Sequence, residues 1–148
     1  MSTSIDIPDP DQPCAFCDYL SGRRPFTILH RTKYVGLLVT REQRGVGHVL
    51  VVPVVHRPTL LDLGATEAPL IMAAVIDAAN AIEQAYKPGG IAVWQNNGIP
   101  AHQAIPHVHF HVAGTLPEGG TDFGDVPELS VDHTDDIASH LRPFLSRS

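Results

Sequence analysis

Cysteine is scarce in this 148-residue chain, with only Cys14 and Cys17. Two such residues make no disulfide framework, so a core must hold the fold, and a reducing, cytoplasmic setting is expected. Aromatic residues make up only 6%. The longest apolar run, Val49 to Val55, has the length of a strand and falls well short of the roughly 20 residues that a membrane span needs. Met1 to Gln12 are rich in Asp and Pro and lack the charged-then-apolar order of a signal peptide. We expect residues 1–12 to be a flexible N-terminal segment and 13–148 a single domain. Basic residues are outnumbered ten to sixteen, a net charge of −6, which argues against coating nucleic acid. No nucleophile elbow, Walker loop or dinucleotide-binding glycine pattern is present.

What is present begins with 43% hydrophobic residues, enough for one core in a chain of this length. Tyr34 to Thr40 and His48 to Val55 are β-branched runs around the glycine-containing stretch Arg41 to Gly47, the pattern of a hairpin with a loose loop. Ile91 to Asn96 and Ile105 to Ala113 make a second strand pair around Gly98 and Pro100. Between the pairs, Thr66 to Tyr86 reads as a long helix with Thr66 as N-cap, an Ala-rich face (Ala74, Ala78, Ala81, Ala85) and Gly89 or Gly90 just past its end. Gly114 to Val131 reads as an acidic loop, and Asp135 to Leu145 as a short closing helix. Hairpin, helix, hairpin implies an α+β fold, an antiparallel sheet with its helices gathered on one face.

Charge is uneven. Residues 23–57 hold Arg23, Arg24, Arg31, Lys33, Arg41, Arg44 and Arg57 against Glu42 alone. This segment either attracts a small phosphorylated anion or is a solvated face opposite an acidic strand or tail.

Histidine is the anomaly, with nine in all and four between positions 102 and 111. In a strand, His107, His109 and His111 share one face while Val108, Phe110 and Val112 point into the core. The outer two would lie about 13 Å apart, too far for one zinc to take all three. They must divide their labour, leaving the middle imidazole as a nucleophile for an anion, its tautomer held by a hydrogen bond.

The run His107-Val108-His109-Phe110-His111-Val112 resembles the signature of the histidine triad (HIT) family of nucleotidyl hydrolases and transferases. Asn96-Asn97-Gly98 with Ala101-His102-Gln103 is similar to the family's Asn-x-Gly and Ala-Gly-Gln segment. Gly47-His48-Val49-Leu50-Val51-Val52-Pro53 through His56 is similar to its Gly-His-x-Leu-x-x-Pro-x-x-His hairpin. The resemblance covers residues 14–114. It implies a sheet of about five strands carrying one long helix and a short C-terminal one, and a homodimer paired through helix and sheet edge, for which Trp94 and the Ala-rich helix could serve.

For chemistry, the resemblance implies that His109 attacks the α-phosphorus of a nucleotide derivative and forms a nucleotidyl-histidine, with His111 donating to a phosphoryl oxygen. Asn96 and Gln103 would hold phosphate or leaving-group oxygens. His48 either lines the same pocket or is an ordinary hydrogen-bonded strand histidine. Three positions depart from the family pattern: His102 replaces Gly, Ala104 replaces Ser or Thr, and Thr40 replaces the Asp that holds the ribose. His102 could assist a leaving group or cap a loop. The implied substrates are nucleoside phosphoramidates, nucleoside 5′-anhydrides or dinucleoside polyphosphates; a non-catalytic nucleotide-binding or scaffolding module of the same fold is the alternative. A cupin-like metal site would need a carboxylate soon after His109, but Ala113 to Leu116 contain none.

Cys14-Ala15-Phe16-Cys17 is half a tetrahedral site and lacks two ligands. The resemblance implies that His56 and His107 supply them, making one structural zinc per chain. A free dithiol and a redox pair are the other readings of the cysteines.

Overall fold

A computed structural model describes residues 4–9 and 13–146. The chain runs α1 (Ala15–Ser21), β1 (Ile28–Arg31), β2 (Val35–Val39), β3 (Val46–Pro53), α2 (Glu67–Tyr86), β4 (Ile91–Trp94), β5 (Phe110–Gly114) and α3 (Val131–Leu141), with 3-10 turns at Leu60–Asp62, Ile99–Ala101 and Arg142–Phe144. The strands form one sheet in the order β1-β2-β3-β5-β4, every neighbouring pair antiparallel. This is the expected α+β architecture. None of the helices among the described residues is long and apolar enough to cross a membrane.

The period-two alternation of the central strands splits the interior into two layers. Val49, Val51 and Val112 face α2 and α3, where they meet Ile71, Val75, Ala78, Ala81, Ile82, Ala138 and Leu141. The expected Ala-rich stripe therefore does let α2 lie close on the sheet, and it is consumed there rather than left as a surface for a second subunit. Leu38, Leu50 and Val52 face the other way, against Phe16 and Leu20 of α1. The helices are thus not gathered on one face. The local signal for α1 is short, seven residues capped by the Cys14 side chain accepting from the Cys17 N–H and closed by Gly22 at φ +80°.

Other expectations shift at their ends. Thr66 precedes α2 but its side chain makes no capping bond; Glu67, 6% exposed, instead accepts from the Gly64 N–H and from Arg57. Lys87, not a glycine, takes the left-handed turn at the other end, because Pro88 has no N–H with which to continue the helix. The closing helix starts at Val131, four residues earlier than expected, with Ser130 as its N-cap. β1 was not anticipated as a separate strand; it pairs along β2 through a register irregularity between Ile28 and His30.

The last correction bears on the site. The strand expected over Ile105 to Ala113 begins only at Phe110. Pro106 has no N–H to give to a ladder, and Val108 N–H goes to the Arg57 carbonyl at 2.7 Å, so His107 and His109 sit in the approach to β5. His107 is completely buried. Across the centre of the sheet, β3 pairs Leu50 with His111, and a bulge lies between Val46 and Val49. Gly47 occupies that bulge at φ +64°, with the Tyr86 ring where a Cβ would project.

Of the N-terminal segment expected to be flexible, residues 1–3 and 10–12 lie outside the described residues. Residues 4–9 are seated on the body of the protein, with Pro8 buried and the Asp6 carbonyl accepting from the Ile99 N–H at 2.7 Å.

Ile82 is fully buried between α2 and the sheet. Ile82→Ala is expected to lower unfolding free energy by about 2–5 kcal/mol, read as a lower urea midpoint at an unchanged slope.

Candidate functional site: a chain of oriented imidazoles beside a Cys2His2 cluster

Each histidine of the triad has one ring nitrogen committed to a group that fixes its proton. A neutral imidazole carries one donor and one acceptor nitrogen, so a carbonyl partner marks the protonated one. His107 Nε2–H donates to the Pro53 carbonyl at 2.8 Å, which leaves Nδ1 as a lone pair. His109 Nδ1–H donates to the His107 carbonyl at 2.8 Å, and its Nε2 is left basic. His111 is set by a longer chain. The Arg44 backbone N–H donates to His48 Nδ1 at 3.1 Å, so His48 carries its proton on Nε2 and donates to His111 Nδ1 at 3.0 Å. His111 is then protonated on Nε2. A lone pair on His109 thus stands beside a ring N–H on His111, with ring centroids 5.0 Å apart.

Burial keeps all of these rings neutral. It is the main cause that lowers His111 from 6.5 to about 2, His48 to about 3 and His107 to about 4, and it also lowers His109. Neighbouring charge adds to this at His48 and His111, where the nearby Arg44 contributes. Neutral imidazole is the form that can attack, and a neutral ring N–H can still donate.

Aromatic packing holds the rings. Trp94 stacks on His111 at 4.6 Å and 5°, and Phe16 lies 4.9 Å from His109 and 5.6 Å from His107. Trp94 pairs with His111 across β4 and β5, so its ring serves the site. Neither contact was anticipated for chemistry; the register of β4 on β5 and the placement of α1 create them, and nothing local signals either.

The remaining expected residues divide. Asn96 lies two residues past the end of β4, half-buried, and its backbone carbonyl accepts from Gln95 Nε2. Gln103 is buried with its amide fully engaged: Oε1 accepts from the Gly98 N–H, and Nε2 donates to the Pro58 and Ile105 carbonyls. Its side chain braces the loop and has no N–H left for a phosphate. His102 is exposed at φ +69°, closing the Ile99–Ala101 turn with its backbone N–H on the Ile99 carbonyl. Thr40, nearly buried, accepts from the Glu42 N–H.

The basic segment also resolves. Arg24 pairs with Asp18, Arg44 with Glu42 and Arg57 with Glu67. Arg41 meets Glu128 at 3.2 Å, and Arg44 Nη1 donates to the Asp122 and Gly124 carbonyls. Of this segment, Arg41 and Arg44 meet the acidic loop after β5, whereas Arg24 and Arg57 are held by carboxylates of α1 and α2.

Cys14, Cys17, His56 and His107 converge, all four ligand atoms lying within 4.8 Å of one another. His107 Nδ1 is 3.2 Å from Cys14 Sγ, 3.6 Å from Cys17 Sγ and 3.2 Å from His56 Nδ1, and Cys17 Sγ is 3.6 Å from His56 Nδ1. Bonds of about 2.0–2.3 Å give a tetrahedron with edges of about 3.3–3.8 Å, so the donor set fits one ion. His107 can offer only a lone pair there. Burial and the Cys14 hydrogen bond push the Cys17 thiol up to about 12; a divalent ion is what makes a thiolate in such a place.

Acidification tests the buried rings. The folded-state pKa values of His48 and His111 lie below the unfolded value near 6.5, so the unfolded chain binds more protons in this window and stability falls as pH falls through it. The expected outcome is a Tm that drops steadily between pH 6.5 and 4, followed by calorimetry.

The profile of the HIT domain matches residues 22–117. Among curated relatives, the adenosine 5′-monophosphoramidase of Saccharomyces cerevisiae is 31% identical over 102 residues, 69% of this chain and 62% of that protein. A HIT-like protein of Bartonella henselae superimposes with a TM-score of 0.82 at 22% identity, covering 93% of this chain and all of that one. A Zn-bound histidine triad protein of Mycobacterium smegmatis superimposes at 0.75 and 23% identity, over 88% of this chain and 91% of that one. With the profile spanning well over half of the sequence and the triad assembled as described, the chain belongs to the HIT family.

Proposed function

We propose that this protein is a nucleotidyl hydrolase or transferase acting at the α-phosphate of a nucleoside phosphoramidate, nucleoside 5′-anhydride or dinucleoside polyphosphate. The observation that carries the reading is the pairing of tautomers: His109 presents a basic Nε2 because its Nδ1–H is committed to the His107 carbonyl, while the His48 relay makes His111 an N–H donor.

In this mechanism His109 Nε2 attacks the α-phosphorus, a P–N bond forms as the bond to the leaving group breaks, and the leaving group takes a proton from solvent; the water that later attacks the phosphorus returns one to solvent. The His107 carbonyl steadies the imidazolium character that develops on His109. His111 Nε2–H donates to a phosphoryl oxygen, where charge accumulates in the transition state. Water, or an acceptor in transfer, then attacks the phosphorus and releases His109. Asn96 and His102 would face the phosphate and leaving group, with Gln103 positioning that loop. Thr40 would lie at the ribose, holding it with a neutral hydroxyl where a carboxylate would bind more strongly. The name of the yeast relative supports a phosphoramidate as the first substrate to try.

We assign zinc to Cys14, Cys17, His56 and His107, in a structural role; the donor set and the zinc-bound neighbour support this. The ion would tie α1 to the approach of β5 and fix His107, and with it the carbonyl that orients His109. Residues 13–148 are read as one cytoplasmic domain. A homodimer would use the apolar side chains that α2 and the edge strand β4 leave exposed, Leu70, Met72, Ile76 and Val93.

Two experiments test this. Adenosine 5′-phosphoramidate is expected to be turned over and to label the protein covalently on rapid quench into alkaline denaturant, which spares a P–N bond, with the adduct on His109; His109→Ala should lose at least about 10³-fold in kcat and the adduct, while AMP still quenches Trp94 fluorescence. Binding without turnover in the wild type would favour the scaffolding alternative. Elemental analysis should find one zinc per chain, and Cys14→Ser should lose it together with several degrees of Tm.

A further inference from the structure

Residues 4–9 lie outside the matched HIT profile, yet they touch the loop that leads into the triad. The Asp6 carbonyl accepts from Ile99 N–H at 2.7 Å, and Pro8 is buried. Ile5 lies directly over Gly98, where an added Cβ would stand 3.0 Å from Ile5 Cγ2 and 3.4 Å from the Asp6 carbonyl oxygen.

That loop depends on outside support. It contains two left-handed residues, Gly98 at φ +91° and His102 at φ +69°, and a non-glycine residue there is strained. A single short 3-10 turn, Ile99–Ala101, is its regular structure. Gly98 is the junction. Its carbonyl accepts from the Ala101 and Gln103 N–H groups, and its own N–H donates to Gln103 Oε1 at 2.7 Å. From there Gln103 Nε2 reaches the Ile105 carbonyl at 3.0 Å, which also accepts the His107 N–H at 2.8 Å. One run of hydrogen bonds therefore joins the N-terminal arm to the backbone of His107, whose carbonyl orients His109.

We propose that Ile5, Asp6 and Pro8 form a strap that positions the Gly98–Gln103 loop for turnover, a role in which the arm touches neither substrate nor metal. The catalytic part rests on the nucleotidyl reading above. A loop held only loosely would still bind nucleotide but would misplace the reacting groups, and misplacements on the order of 1 Å are worth up to about 10²-fold in rate.

The test uses the full-length, zinc-loaded protein and the variants Ile5→Asp, Pro8→Asp and Ile5→Val. Amide hydrogen exchange of residues 98–103 is measured by mass spectrometry, alongside kcat and KM for adenosine 5′-phosphoramidate and zinc content. In both Asp variants, loop exchange should quicken by about tenfold or more and kcat should fall about ten- to hundredfold. KM should change less than about threefold, zinc should stay bound, and Ile5→Val should behave as wild type. Unchanged exchange overturns the strap. Faster exchange with kcat kept within about twofold overturns its role in turnover, as does a loss of kcat that comes with loss of zinc. Wild-type protein inert toward the phosphoramidate would instead overturn the nucleotidyl reading and the catalytic consequence with it, while the exchange measurement still decides whether the arm holds the loop.

Discussion

The complete burial of His107 is the constraint on which the rest of the site depends. An imidazole out of water must have both nitrogens satisfied or bear a penalty of a few kcal/mol. The Pro53 carbonyl accepts a hydrogen bond from His107 Nε2–H, so Nδ1 can only be a lone pair, and it points at two sulfurs and a second imidazole. The same residue lends its carbonyl to His109. A single buried ring thereby links the Cys2His2 cluster to the proposed nucleophile, although the two have different chemistry.

A second chain of consequences starts in the β2–β3 turn. The Arg44 guanidinium holds the carbonyls on either side of Phe123, while the Arg44 backbone N–H sets His48 and, through it, His111. Because the orienting donor is a main-chain group, it is insensitive to the side chain at position 44 and sensitive to the shape of the turn. The bulge at Gly47 belongs to that shape. Fixed dipoles of this kind suit a site where charge develops, since they need no reorganisation when it does.

Much of this was legible in the residues. The alternation that runs into β5 at Phe110 to Val112, the β-branched runs of the first hairpin and the apolar stripe of α2 are local patterns, and local propensity and period suffice to place them on strands and a helix. The Cys-x-x-Cys pair and its two histidines were likewise readable through family resemblance. Less legible were α1, too short to carry a periodic signal, the start of α3, and the true beginning of β5, where Pro106 and the Arg57 carbonyl displace the expected ladder bond.

By itself the sequence determined which residues have imidazoles, thiols and apolar faces to offer, and the order in which the chain presents them. Tertiary structure alone decided what each nitrogen does. The partners that set His107, His111 and the N-terminal arm lie 54, 63 and 93 positions away along the chain. A proton on a ring is placed by the group opposite it, and which group stands opposite is settled only when strand register and loop packing bring distant backbone into hydrogen-bond range.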